Sequence, residues 1–533
     1  MKKILLACLL VLCSCSVARI AETEPNDDFN HATEIKAKQK TEIIGFLKDK
    51  NDVDIYKVTI PKTSKDEENT EKNLSITLAP ATGIDMGFMV FNAKYDFIKG
   101  INDSPAGEKE NLMNLGVKEG DIYFLRFQGL FSASAVIKST SGYTVILEIQ
   151  DKANIEREPN DKKVKAASLK LNMEITGFFN PQKIWNIGGN YSDEEDWYRI
   201  EVAKGDSILD FDISGVPFVD SAMSVYDEND YKLVEIDNYG DGQGESYHYL
   251  GVKGPAYYTL LIKAKNNSGS FTVPYTLRTN FRSYAGNSER EPNDNRSIAS
   301  EISTKVIGDP GNLISGYINP AGDQDWYKIR LTGRKHIMHV KTESAENLDI
   351  VMKICDEMGD VLKTINNMGK EATETISNMG IIPDKTYYLV IADDSGKNSN
   401  ARDPYKTTIT FNPYDKGKEF EPNNKEADAE LLEVGSKIAG YLAPREDVDC
   451  FKLNVYSEVS LKCSVTGVPG IRIVMEMLYP DGQSKILTSE NPGKMLEGVF
   501  KLPAGEDCIL KLRGADSRES NVRDEYVLTV SQN

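Results

Sequence analysis

Apolar and polar residues alternate along much of this chain with a period of two. Tyr327, Ile329 and Leu331 share one parity while Lys328 and Arg330 take the other, and Leu209, Phe211 and Ile213 alternate with Asp210 and Asp212. Successive side chains on a strand point to opposite faces, so such a segment predicts a strand with one face in a core and one in water. Segments rich in β-branched and aromatic residues recur at Tyr143, Thr144, Val145; Tyr275, Thr276, Leu277; Tyr405, Lys406, Thr407; and Tyr526, Val527, Leu528. No long stretch carries the 3.6-residue period of an amphipathic helix. Short strands at regular spacing, punctuated by Gly, Asn and Asp turns, predict an all-β chain of antiparallel sandwiches.

The strands belong to a repeat. An acidic string, Glu22, Glu24, Pro25, Asn26, Asp27, returns as Glu156, Glu158, Pro159, Asn160, Asp161, then as Glu289, Glu291, Pro292, Asn293, Asp294, and last as Glu419, Glu421, Pro422, Asn423, Asn424. The spacing is about 130 residues, one ordinary domain. After each string comes an apolar run holding a glycine (Gly45, Gly177, Gly316, Gly440) and then an acidic strand start: Asp52 and Asp54, Glu194 and Asp196, Asp323 and Asp325, Asp447 and Asp449. These landmarks predict four domains, 22–152, 153–285, 286–417 and 418–533. The stretches from Lys62 to Asn73 and from Lys183 to Glu195 are predicted surface excursions.

Ahead of the repeats, Lys2, Lys3 and the apolar run Ile4 to Leu12 predict an export signal over 1–14, too short to span a bilayer. Leu12, Cys13, Ser14, Cys15 resembles a bacterial lipobox, with Cys15 as the lipidated residue and 15–21 as the tether; cleavage after Ala18 is the other reading. Lipidation places the chain on a bacterial cell envelope, touching the membrane through its anchor alone. Of the remaining cysteines, Cys355 stands alone in the third repeat, and Cys463 and Cys508 in the fourth fall on apolar faces. A bridge between those two and a pair of buried thiols both fit.

Charge narrows the partners. With 63 Lys and Arg against 82 Asp and Glu, the net is −19, which disfavours nucleic acid and anionic lipid surfaces and favours cations. In the third repeat Glu289, Glu291 and Asp294 offer carboxylates, and Asn293 an amide oxygen. Asp323 and Asp325 share the parity of Tyr327, so they point to the core side at the mouth of the strand. Carboxylates facing a core need a counter-charge, and hard oxygen donors at this density suit Ca²⁺. The first repeat offers Glu22, Glu24, Asn26, Asp27, Asp52 and Asp54. The second offers Glu156, Glu158, Asn160, Asp161 and Asp196, with Glu194 replacing the first Asp, and the fourth has Asn424 in place of the last Asp. A solvated linker followed by a turn is the alternative reading of every string.

On both landmarks, from Glu22 to Gln532, the repeats resemble the bacterial pre-peptidase C-terminal domain, with its ExEPND start, DxDWY strand and YxL close. The resemblance implies four tandem jelly-roll-like β-sandwiches. They are also similar to the collagen-binding modules of clostridial collagenases, which implies Ca²⁺ held between the acidic linker and the DxD strand.

No HExxH surrounds His31, His248, His336 or His339, and neither a GxSxG elbow nor a CxxC occurs. The chain is therefore expected to be no enzyme but a monomeric, calcium-stabilised binding array for an extracellular protein or glycan. An envelope scaffold or spacer is the alternative. The doublets Tyr257, Tyr258 and Tyr387, Tyr388 are expected to sit in strands, one ring inward and one partly covered, rather than to grip a ligand.

Overall fold

The computed structural model describes the chain apart from residues 1–16, 63–69, 130–141, 151–153, 181, 184–190, 193–194, 266–267, 271, 285, 287 and 303–311. The leader, Cys15, Glu194 and most of the two excursions lie outside the described residues. The regular elements among the described residues are strands, with two short 3-10 turns at Lys163–Lys165 and Glu426–Asp428. Among the described residues no helix is long and apolar enough to cross a membrane.

The third repeat shows the plan. One sheet runs in the order Ser300–Glu301, Gln324–Arg330, Thr386–Asp393, Ile350–Cys355, Val361–Ile365, and the other in the order Asn312–Gly316, Tyr405–Pro413, His336–Glu343, Glu374–Ile381. Their inner faces enclose a core of Tyr327, Ile329, Leu331, Met338, Val340, Ile354, Leu389, Ile409 and Phe411. The alternation is met: Tyr327 and Ile329 are buried, and Arg330 is exposed. The fourth repeat builds the same two layers, and the first does so with five strands in each. In the second, Glu195–Ile213 and Ser246–Ala264 each run unbroken for 19 residues, so its two layers join into one continuous sheet. The fold is all-β, a series of jelly-roll-like sandwiches.

Two details depart from a purely antiparallel, strictly alternating reading. The short strand after each acidic string pairs in parallel with the DxD strand, as Ser300 does with Tyr327, because the chain loops back along that strand before entering the other sheet. Asp210, on the polar parity, is only 6% exposed, since the Asn280 amide covers it and donates to its carboxylate at 2.9 Å.

Contacts divide the chain into two units. The first comprises Met1–Asp206, Asp210–Ser246 and Val252–Phe281, the second Ser207–Leu209, Tyr247–Gly251 and Arg282–Asn533.

Cys355, Cys450, Cys463 and Cys508 are free and buried. Cys463 and Cys508 belong to the core of the fourth repeat, so of the two options the buried thiols are found. Of the tyrosine doublets, Tyr258 is inward and Tyr257 half open beneath the Arg199 guanidinium, 3.9 Å from its ring. Tyr387 and Tyr388 are both buried. Tyr388 lies edge-on to Trp326 at 5.8 Å, and this indole supplies a cover that alternation alone does not foresee.

Candidate metal centre

Each acidic string is bolted to its own sandwich by the same bonds. The Glu–Pro bond is cis in all four strings, and the following Asn (Asn26, Asn160, Asn293, Asn423) is fully buried. Its backbone carbonyl accepts from the N–H of Ile55, Trp197, Trp326 or Cys450 at 3.0–3.1 Å. Its N–H donates to the carboxylate of Glu24, Glu158, Glu291 or Glu421 at 3.0–3.1 Å. The string therefore lies along the start of the DxD strand with the second Glu turned back on it.

The first Glu of each string reaches the other sheet. Glu22, Glu156, Glu289 and Glu419 accept from the N–H that follows the glycine landmark, at Phe46 (2.8 Å), Phe178 (2.7 Å), Tyr317 (2.9 Å) and Tyr441 (2.8 Å). Asp52, Asp323 and Asp447 accept from the loop ahead of them, through the N–H groups of Lys48, Asn319 and Ala443. Asp54, Asp196 and Asp325 accept from the closing tyrosine, with Tyr143 at 2.6 Å, Tyr275 at 2.8 Å and Tyr405 at 2.7 Å. That hydroxyl also pairs with the tyrosine of the DxD strand, at 2.8 Å for Tyr56 and Tyr143, 2.6 Å for Tyr198 and Tyr275, and 2.5 Å for Tyr327 and Tyr405. Alternation alone takes these tyrosines for core residues. The signal that points to more is recurrence: a tyrosine, not a phenylalanine, stands at the first or second position of all four closing strands.

Removing one such hydroxyl leaves a buried carboxylate oxygen without its donor, at about 1–3 kcal/mol. Tyr405→Phe is accordingly expected to lower the urea midpoint of the third repeat, and a midpoint equal to the wild type's would show that the bond carries nothing.

The string residues converge as sets. Glu24, Asp52 and Asp54 can place one oxygen each within 4.8 Å of one another, as can Glu289, Glu291 and Asp325, then Glu291, Asp294 and Asp323, and also Glu419, Glu421 and Asp449. The last trio converges although Asn424 replaces an acid in its string. Asn424 instead donates to Asp447 at 3.1 Å. Asp27 and Asp294 are exposed at the rim, and Asp161 is half-buried.

What neutralises these groups differs from string to string. In the second, Glu156 accepts from Asn114 Nδ2 (2.5 Å), Tyr198 (2.9 Å) and Tyr275 (2.7 Å) besides Phe178, and Lys99 Nζ lies 2.5 Å from Glu158 and 3.5 Å from Asp161. In the fourth, Glu419 accepts from Asn378 Nδ2 (2.9 Å) and Tyr526 (2.8 Å), and Lys363 Nζ sits 2.8 Å from Glu421. Burial opposes the charge on Lys363, but Glu421 and Asp447 outweigh it and hold the ammonium above the ordinary lysine pKa. Burial first, then neighbouring acids, pushes Glu156 up to about 7 and Glu419 and Asp447 up to about 8.

The third string has no such partner. Glu289, Glu291, Asp323 and Asp325 are at most 6% exposed, and among the described residues no ion pair reaches any of them. Glu289 Oε2, Glu291 Oε1, Asp325 Oδ1 and both side-chain polar atoms of Asn293 are buried without a hydrogen-bond partner. Burial drives all four carboxyls well above the usual range, and each raises its neighbours further. The first string is more open: Glu24 and Asp27 are exposed, while burial takes Glu22 up to about 7 and Asp54 up to about 8. A hard divalent cation fits the oxygen-only donor set of the third string, and the first offers the same residue types with a solvent-facing side.

No family model and no curated protein sequence matches this chain. Among solved structures it is similar to the pre-peptidase C-terminal domain of collagenase from Bacillus anthracis, at 20% identity and TM-score 0.17, covering 19% of this chain and 93% of that one. It is also similar to the tandem CBM22 domains of Xyn10C from Paenibacillus barcinonensis, at 9% identity and TM-score 0.13, covering 41% and 85%. A third is a biofilm-associated protein BSP domain, at 9% identity and TM-score 0.14, covering 94% and 96%. Superpositions this loose do not bear on function.

Proposed function

We propose that this chain is a non-catalytic array of β-sandwich modules, braced by Ca²⁺ at its first and third acidic strings, that presents its faces to an extracellular protein or glycan. The observation that carries the reading is the third string, where four buried carboxylates cluster in two overlapping trios and no counter-charge reaches them among the described residues. Each uncompensated buried charge costs several kcal/mol, so the site calls for protons or a cation, and six to eight oxygen donors around Ca²⁺ answer that demand. Glu289, Glu291, Asn293, Asp294, Asp323 and Asp325 would hold the ion, and in the first repeat Glu22, Glu24, Asn26, Asp27, Asp52 and Asp54. The ion supplies charge neutralisation, and the chain supplies the geometry. Lipidation at Cys15 would hold the array on the envelope.

A surface on the first repeat supports the ligand-binding part. Phe29 packs against Phe91 at 5.2 Å, Tyr95 at 4.7 Å and Phe124 at 5.4 Å, while Tyr95 is 49% and Phe97 54% exposed. An open group of rings on a rigid sheet suits contact with a fibrous protein or a sugar polymer. The full chain is expected to be retained on at least one of immobilised gelatin, mucin and peptidoglycan, and Tyr95→Ala with Phe97→Ala is expected to weaken that retention several-fold. Failure to bind all three would favour the spacer reading.

A further inference from the structure

We propose that at the second and fourth strings a lysine of the preceding repeat takes the place of the cation, Lys99 at the second and Lys363 at the fourth, so that these two strings bind no metal. The inference rests on the reading of the strings as cation sites. Its own content is which strings need an external ion and which carry one built in.

The two lysines occupy one position in the fold. Lys99 faces Val90 across the strand pair Met86–Asn92 and Phe97–Ile101, and Lys363 faces Ile354 across Ile350–Cys355 and Val361–Ile365. At the same register in the second repeat Val234 faces Val225, an uncharged pair. Neither lysine behaves as a solvated surface residue: Lys99 is fully buried and Lys363 is 7% exposed. An ammonium group withdrawn from water to that extent is tolerated only where carboxylates receive it, and each points into the string of the next repeat.

The backbone fixes this delivery. Gly116 N–H donates to the Glu158 carbonyl at 2.7 Å and Glu158 N–H to that of Asn114 at 3.0 Å; Gly380 and Glu421 form the same bond at 2.7 Å, and Glu421 and Asn378 at 3.1 Å. Asn114 and Asn378 then turn their side-chain amides into Glu156 and Glu419. Lysine and asparagine from one repeat thus satisfy both glutamates of the next. In the fourth string composition follows the same logic, with Asn424 where the third has Asp294, so one carboxylate fewer accompanies a monovalent cation; the second string keeps Asp161, which itself lies 3.5 Å from Lys99 Nζ. An ammonium 2.8 Å from Glu421 would lie beside any ion bound to that carboxylate, and the two charges repel.

Calcium counted by equilibrium dialysis on the full-length chain tests this. The readout is the difference between each variant and wild type, in excess Ca²⁺, for Lys363→Met and Lys99→Met. One additional site per lysine removed is expected, with a lower melting temperature in chelator that Ca²⁺ restores. No additional site in either variant, or a melting temperature in chelator unchanged from wild type, overturns the proposal. Should Lys363→Met fail to fold in both conditions, Lys363→Gln, which keeps a donor but no charge, is judged by the same count. The wild-type count reports separately on the reading of the first and third strings: zero there, with sites gained on lysine removal, sinks that reading and leaves this one standing.

Discussion

In a calorimetric scan of the full chain, replacing excess Ca²⁺ by a chelator is expected to lower the unfolding of the third repeat by on the order of 10 °C. A ligand at a hundred times its dissociation constant adds about 2.7 kcal/mol to the folded state, and a domain of this size moves by roughly 3–5 °C for each kcal/mol. The repeats need not melt together, so the scan should separate transitions that move from those that do not. Substitution at the third string identifies its transition and makes the test sharper. Asp325 is fully buried among Glu289, Glu291 and Asp323. Asp325→Asn removes one of the mutually repelling groups, so in chelator the variant should be as stable as wild type or more so, while in Ca²⁺ it should lack most of the gain. The crossing of the two stabilities is the diagnostic result. A wild-type transition indifferent to Ca²⁺, or an undiminished gain in Asp325→Asn, would make the string a metal-free brace whose buried carboxyls are simply protonated.

Much of this site is legible in the order of residues alone. Period-two alternation implies the sandwich, the spacing of the ExEPN strings implies the repeat, and the parity of Asp323 and Asp325 with Tyr327 turns both inward, where they are found. Two kinds of information lie out of its reach. Lys99 and Lys363 come from 59 and 58 residues upstream of the glutamates they meet, in the preceding repeat, and a single lysine in a strand is ordinarily a solvated residue. The burial of these two follows from pairing between a string and its neighbour, which alternation within one repeat cannot express. The tyrosine hydroxyls are hidden for the opposite reason. Tyr405 satisfies the apolar pattern with its ring and the polar site with its hydroxyl, so a hydrophobic reading counts only half of it. The fourth string is legible in part: Asn424 shows that an acid is lost, but not that Glu419, Glu421 and Asp449 still converge or that Lys363 meets Glu421.

The glycine landmark carries the other large effect. Gly316 has ordinary backbone geometry, so alanine there is not opposed by φ; what opposes it is space. A Cβ on Gly316 would come under 3.0 Å from both the Tyr405 hydroxyl and Glu289 Oε2, and the equivalent atom on Gly440 would meet Glu419 Oε2 and the Tyr526 hydroxyl in the same way. Neither obstacle is the loose end of a flexible side chain. Tyr405 is held by Asp325 and Tyr327, and Glu289 by the Tyr317 N–H. Overpacking of a tight interior costs about 1–3 kcal/mol and sometimes more, and displacing Glu289 would also open the donor set that Ca²⁺ requires. Gly316→Ala is therefore expected to lower the third repeat's melting temperature by on the order of 10 °C in chelator and to lose most of the Ca²⁺ gain as well. Gly369, in the same repeat, has open space where a Cβ would go, so Gly369→Ala should stay within about 0.5 kcal/mol of wild type. If the two alanines behaved alike, the glycine would be only a flexible hinge, and the close approach of tyrosine, glutamate and backbone would not be what builds the site.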